Sequence, residues 1–418
     1  MSEAPHSPPP RVFRNRSYRS LFAAAAISNY GSMLHAMALP FVAISVLDAT
    51  PADIATLTAA GLAPGFVLGL VASAWVDRLP RRPILVASDW ARAAILLWIP
   101  VAAWLELLTL GQLHVVVAIH GFLTFLFGAA HHAILPAIVP STQLLEANGR
   151  LKAVESVTEG GAFASGGFLI QWLGAPFVFI VDAASYVLSA LCLRGVDAQE
   201  VPRTASVGTS TSVWQETREG VAFLVGHRLL LPGVLGLALV AMSWRVASVV
   251  YVLYVYEELG FAPGVLGLVF AAGGVSSLIG AFAAERLPRR VGLGWSMILG
   301  VLGVSLATLL LPLAPGAGWL GLLVLVAHQL GDGFEVVFEV NESSLRQSLT
   351  PPQLRGRVAG VTGFGGAAAM LFGLVVGGIL GEWAGLRETL VVAGGIGLAG
   401  ATLLVLSPLR TLRSLPSA

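Results

Sequence analysis

The sequence predicts an all-α integral membrane protein, with twelve transmembrane helices arranged as two pseudo-symmetric six-helix bundles. Three observations carry that prediction. Of 418 residues, 56% are hydrophobic and only 11% charged, with a mean hydropathy of +0.82, whereas a soluble chain carries about a quarter charged residues. Twelve apolar runs are each long enough to cross about 30 Å of hydrocarbon as a helix. A charged motif, DRLPRR at Asp77 to Arg82, returns as ERLPRR at Glu285 to Arg290, 208 residues later.

Residues 1–16 are polar, proline-rich and arginine-bearing, and read as a tail, because the first apolar run is too long for the core of a signal peptide. The runs of the first half cover 18–46, 54–76, 84–105, 114–138, 154–172 and 176–194. A Ser/Thr-rich stretch, Gly195 to Val213, then has the composition of a linker. Two readings of Trp214 to Gly226 stay open: an amphipathic helix on the membrane surface, or an extension of the seventh span. The second half has runs at 229–255, 264–284, 292–313, 319–341, 358–381 and 388–408. The domains expected are therefore the tail 1–16, a bundle 17–194, a linker 195–228, a bundle 229–410 and a tail 411–418. The single cysteine, Cys192, lies in the sixth run, has no partner for an intramolecular disulfide and reads as packing.

Orientation follows from the arginines, since basic residues are retained in the cytoplasm. Arg11, Arg14, Arg16 and Arg19 precede the first run, and Arg78, Arg81, Arg82 and Arg92 flank the second connection. Continuing through the even-numbered connections to Arg410 and Arg413 at the end, 22 of the 24 lysines and arginines fall on one side. Arg245, within a run, and Arg387, in an opposite loop, are the exceptions. Short loops on that opposite side carry Asp48, Asp53, Glu257, Glu258, Glu382 and Glu388. Both termini are expected in the cytoplasm.

Each copy of the repeated motif lies between the second and third run of its half. A weaker echo follows the fourth, where LPAIVPSTQLLEAN at Leu135 to Asn148 parallels LRQSLTPPQLRGR at Leu345 to Arg357. Parallel repeats of this kind mark transporters. The DRLPRR and ERLPRR loops resemble the signature loop of the major facilitator superfamily. DRLPRRPILVASDWARA and SLRQSLTPPQLRGRVAG are similar to its bacterial export branch, which contains enterobactin exporters and macrolide efflux proteins. The resemblance covers nearly the whole chain. It implies the major facilitator fold in a bacterial inner membrane, acting as a monomer without a cofactor on a small-molecule substrate. It also implies that Asp77, Arg78, Arg81, Arg82, Glu285, Arg286, Arg289 and Arg290 latch the two halves on the cytoplasmic side. Asp89 and Arg92, one turn apart, would join that network. A plainer reading of Arg81, Arg82, Arg289 and Arg290 is that they satisfy the charge rule alone. Ser73 and Pro80 stand where the family loop usually has glycine, and EGGAFASGGFL at Glu159 to Leu169 lacks the proline common in drug antiporters. Its small residues Gly161, Ser165, Gly166 and Gly167 still suit close helix packing.

The tenth run carries the strongest functional signal. At about 100° per residue, His328, Asp332, Glu335, Glu339 and Glu342 share roughly 80° of one helical face. Ionisable groups at membrane depth cost on the order of 2.5–3.5 kcal/mol each and normally face a cavity or a partner. Asp332 and Glu335 are expected to carry function, whereas Glu339 and Glu342 approach the interface, where solvation is the plainer reading. Arg245, in the seventh run, is expected to neutralise Asp332 or Glu335. Asn29 and His35 in the first run read either as substrate contacts or as packing groups. His131 and His132 read as an interfacial pair, Asp182 as a structural hydrogen-bonding acid, and Glu155 and Glu159 as partners of loop arginines. Trp244, Tyr251, Phe334 and Phe338 are candidate aromatic lining.

A carboxylate taken out of water disfavours its charged form, so such a group can load a proton on one side and release it on the other. Substrate competing for the same site would couple export to proton entry by population shift. The chain has no Gly-Lys-Ser/Thr phosphate loop, no nucleophile elbow and no nucleic-acid module, which argues against primary transport and catalysis. The expected function is proton-coupled export of amphipathic, cationic compounds, with protons, the substrate and membrane lipids as partners. Alternatives are an exporter of anionic siderophores or metabolites using Arg245, and a non-transporting sensor or partner-binding protein on the same fold.

Overall fold

The computed structural model describes residues 12–76, 79–197 and 213–415, and the regular elements among them are all helical. We number the long helices α1 (Arg16–Leu47), α2 (Pro51–Val76), α3 (Arg81–Trp104), α4 (Leu110–Ile138), α5 (Leu144–Leu173), α6 (Ala175–Leu193), α7 (Val213–Gly226), α8 (Leu230–Glu258), α9 (Pro263–Val291), α10 (Leu293–Leu313), α11 (Trp319–Leu349), α12 (Arg355–Trp383) and α13 (Leu386–Leu406). Among the described residues, ten are long and apolar enough to cross a membrane. Helices α2 and α5, 26 and 30 residues long, occupy the two remaining predicted runs, so twelve spans are consistent with the structure. The first half of α5 carries Glu146, Arg150, Lys152, Glu155 and Glu159, which dilutes its apolar character.

Several helices outrun their apolar cores. α5 begins at Leu144 rather than 154, and α11 continues to Leu349. The extra turns are amphipathic and held by pairs at i,i+4, Arg150 to Glu146 at 2.6 Å and Arg346 to Glu342 at 3.0 Å. The capping box of Thr109 and Gln112 starts α4, each side chain bonding the other's backbone N–H at 3.3 Å.

The described part of the first motif, Leu79 to Arg82, does not share the conformation of the second copy. Pro80 is extended (φ −61°, ψ 129°) and Arg81 opens α3 behind it, whereas Glu285 to Arg290, expected as a loop, are the last turns of α9 with Pro288 inside the helix. Proline lacks the N–H that would bond the carbonyl four residues earlier. Asn341 of α11 supplies the missing donor, its Nδ2 reaching the Ala284 carbonyl at 3.3 Å. The chain then turns at Gly292, whose φ of 92° favours glycine.

The chain divides into two compact units, Met1–Ala38 with Ala60–Ala162 and Leu173–Ser206, and Leu39–Ala59 with Phe163–Trp172 and Val207–Ala418. The first has a core containing Tyr18, Leu21, Leu85, Ile134 and Leu193, and the Tyr18 hydroxyl donates to the Ala147 carbonyl at 3.0 Å. The second is built around Val240, Met297, Val301, Phe338 and Leu404. Its helices approach through small residues: a Cβ on Gly280 of α9 would lie 2.2 Å from the Gly333 carbonyl of α11, and one on Gly167 would lie 2.2 Å from the Pro263 carbonyl. Gly161, by contrast, meets open space.

Helix α7 covers Trp214 to Gly226 and ends before the seventh apolar run begins. A turn at His227 separates it from α8, with the imidazole Nδ1 accepting from the N–H groups of Leu229 and Leu230 at 3.3 Å each. Leu224 is buried in the core of the second unit, and Glu219 pairs with Arg357 of α12.

Candidate functional site

The acidic ladder lies in the second unit, and its helix is not continuous. α11 consists of two pieces, Trp319–His328 and Leu330–Leu349, joined at Gln329. There the Asp332 N–H bonds the Gln329 carbonyl three residues back, at 3.3 Å. That tight turn takes the acceptor the Gly333 N–H would use in a regular helix, and Ser276 of α9 replaces it. The Gly333 N–H donates to Ser276 Oγ at 3.1 Å, and the Ser276 hydroxyl donates to the Leu330 carbonyl at 3.2 Å. The sequence treated the ladder as one face of one helix; the structure divides it.

His328 sits on the first piece. Its Nδ1 lies 3.1 Å from the Ala307 carbonyl of α10, and its ring is 5.7 Å from that of Tyr251. On the second piece Asp332 is half-buried against α9, where a Cβ on Gly273 would lie 2.2 Å from Asp332 Oδ2 and 2.6 Å from Gln329 Nε2. Glu335 is half-buried and makes neither an ion pair nor a hydrogen bond among the described residues. Glu339 is exposed. Glu342, expected to be solvated, is instead buried at 3% exposure and held by Arg346 through Nε at 3.0 and 3.3 Å and Nη2 at 3.3 Å.

Arg245 requires a correction. It pairs with neither Asp332 nor Glu335; its guanidinium lies 4.4 Å over the Trp244 ring, and its buried Nε has no hydrogen-bond partner among the described residues. Its Cβ faces Gly373 of α12, which directs the side chain along a different helix. Of the expected aromatics, Phe338 is wholly buried core and Trp244 and Phe334 are exposed. Tyr251 belongs to a row that the sequence did not indicate: ring centroids run from Phe163 to Phe270 at 5.4 Å, to Tyr251 at 5.5 Å and on to His328.

The first unit holds a second polar cluster. His35 of α1 stacks on His120 of α4 at 4.3 Å, and its Nδ1 lies 3.5 Å from Asp182 Oδ2 of α6. His120 Nε2 is 3.1 Å from the Tyr186 hydroxyl, which is itself 2.9 Å from Ser32 Oγ. Asp182 was expected to bond as a structural acid, yet among the described residues neither of its oxygens has a hydrogen-bond partner. Beside it the Asp89–Arg92 pair is buried, with the guanidinium 4.2 Å over Phe127 and 4.1 Å over Tyr186. His120 and Tyr186 escaped the sequence reading because a lone polar residue in an apolar run gives no periodic signal.

The other expected residues are placed as follows. Asn29 Nδ2 donates to the Glu155 carbonyl at 3.1 Å and to Thr158 Oγ1 at 2.7 Å, tying α1 to α5. Glu155 pairs with Lys152 at 3.0 Å, rather than with a loop arginine, and His131 stacks on Phe127. Asp77 and Arg78 lie outside the described residues. Arg81 is half-buried at the start of α3, and Arg82 donates to the Arg194 carbonyl at the end of α6. Glu285 pairs with Arg289 of its own helix at 2.5 Å, both exposed, Arg286 donates to the Phe282 carbonyl at 3.3 Å, and Arg290 is exposed.

Long apolar helices with ionisable groups buried among them define a multi-pass membrane protein of transporter type. The model of the Major Facilitator Superfamily matches residues 21–337 and 233–417, and the chain belongs to that family. It is therefore a transporter and not an enzyme. It is 27% identical over 391 residues, 92% of this chain and 91% of the other, to an uncharacterized MFS-type transporter, YfiS, of Bacillus subtilis (strain 168). It is 25% identical over 417 residues, 96% and 94% of the two chains, to the multidrug efflux pump Tap of Mycobacterium tuberculosis (strain ATCC 25618 / H37Rv). A crystal structure of a bacterial homologue of the iron transporter ferroportin has the same fold, with a TM-score of 0.73 at 20% identity over 93% of this chain and 98% of that one.

Proposed function

We propose that this transporter exports amphipathic, cationic drug-like compounds by alternating access coupled to proton entry, with both termini in the cytoplasm. One observation carries the reading: Glu335 is a half-buried carboxylate in a membrane helix with no ion pair or hydrogen bond among the described residues. Such a group is costly as a bare anion and is relieved by a proton or by a cationic ligand. Competition between those two for one carboxylate is the minimal requirement for exchange. Asp332 one turn away and the aromatic row ending at His328 supply further acidic and apolar contacts for a lipophilic cation. Similarity to a multidrug efflux pump along most of the chain supports the substrate class, and the one-sided arginine distribution supports the orientation.

Arg245 favours a second reading. A guanidinium stacked on Trp244 and without an ion pair among the described residues suits an anionic substrate, such as a siderophore or carboxylate metabolite. Proton flux in proteoliposomes separates the two, on adding lipophilic cations or anionic siderophores to wild type, Glu335→Gln and Asp332→Asn. Cation-driven flux abolished in Glu335→Gln is the expected result. Flux driven by anions alone moves recognition to Arg245, and undiminished cation flux in both variants and their double mutant refutes the ladder as the coupling site.

A further inference from the structure

His35, His120 and Asp182 come from three helices of the first unit and offer three ligand atoms that lie within 4.8 Å of one another. His35 Nδ1 and Asp182 Oδ2, 3.5 Å apart, are already near the edge of about 3.3 Å spanned by donors at 2.0–2.1 Å from a tetrahedral ion. All three side chains are buried, and among the described residues His35 Nδ1 and both Asp182 oxygens lack hydrogen-bond partners. The nearby Arg92 is committed to Asp89, leaving the charge of Asp182 to be balanced by something else. A buried charge without that balance is expensive.

The opposite side of the cluster is braced. The Tyr186 hydroxyl meets His120 Nε2 and is itself held by Ser32, which fixes the orientation of the imidazole. A histidine held from behind by a polar group is how ligands to metals are oriented. Two imidazoles and one carboxylate suit a borderline divalent ion and leave a fourth position for water.

We propose that His35, His120 and Asp182 bind a divalent transition-metal ion of the zinc class, at a site separate from the ladder of α11. An ion lies in the plane of each imidazole that binds it, so coordination tilts the two rings out of their 4.3 Å stack. With the three ligand atoms within 4.8 Å of one another, an adjustment of at most about 1.5 Å brings them to the tetrahedral edge. The competing occupant is a proton on His35, paired with Asp182, which makes no use of His120.

Cobalt(II) alone, titrated into tag-free full-length protein in detergent micelles, is the probe, since four-coordinate cobalt absorbs strongly in the visible. One equivalent is expected to produce the band and zinc to abolish it. His35→Gln, His120→Gln and Asp182→Asn should each weaken binding at least about tenfold, while His132→Gln, on an exposed residue, leaves it unchanged. If Asp182→Asn does not yield folded protein, His120→Gln carries the test. Absence of the band in wild type, or binding retained within twofold in His120→Gln, overturns the proposal; the second result returns the cluster to a His35 proton.

Discussion

Replacing Arg92 with methionine tests whether the Asp89–Arg92 pair holds the first unit together or belongs to a surface latch. Arg92 is 2% exposed and Asp89 fully buried. The guanidinium bonds the carboxylate and lies between two rings, 4.2 Å from Phe127 and 4.1 Å from Tyr186. Methionine retains much of the volume but strands the Asp89 charge, a loss of about 3–5 kcal/mol for a broken buried pair. Each lost ring contact adds roughly 0.5–2 kcal/mol. Because the stranded charge accounts for most of the loss, Asp89→Leu combined with Arg92→Met should recover at least about 2 kcal/mol of it. Equilibrium unfolding of the four proteins of this cycle, by SDS titration in mixed micelles, reads both quantities. A single-mutant loss below about 1 kcal/mol, or a coupling within about 0.5 kcal/mol of zero, would refute a structural pair and return both residues to the latch.

Two further outcomes follow from close contacts. Asn29→Ala removes two hydrogen bonds between α1 and α5, and should lower stability by about 1–2 kcal/mol while leaving substrate affinity unchanged; an affinity loss without destabilisation would make Asn29 a substrate contact. Gly280→Ala places a Cβ 2.2 Å from the Gly333 carbonyl, an overpacked crossing expected to cost about 1–3 kcal/mol in the same SDS titration, and a neutral result would show that α9 and α11 part there without cost.

The acidic ladder shows where reading residues along a chain stops. Its five members share one face while the helix advances by about 100° per residue, and the tight turn at Gln329 sets His328 on a separate piece from the four acids. Ser276, 53 residues before Gln329, accepts from the Gly333 N–H that the turn displaces and donates to the Leu330 carbonyl. The same limit explains Pro80 and Pro288. Pro80 lies ahead of α3 and Pro288 inside α9, where Asn341, on another helix, satisfies the carbonyl that Pro288 leaves without a donor.

The sequence by itself determined the class of this protein. Low charge, long apolar runs and a repeated motif are properties of the chain, and a membrane allows such runs little besides helices, since every backbone polar group must be satisfied within the segment. Tertiary structure alone decided which polar side chains have partners. Arg245 stacks on Trp244 rather than pairing with Glu335, Arg346 encloses Glu342, and His35, His120 and Asp182, well separated in sequence, come within 4.8 Å of one another. Pairing depends on where each helix crosses its neighbours, and that is set by glycine contacts and packing shape rather than by the residue types along a single run.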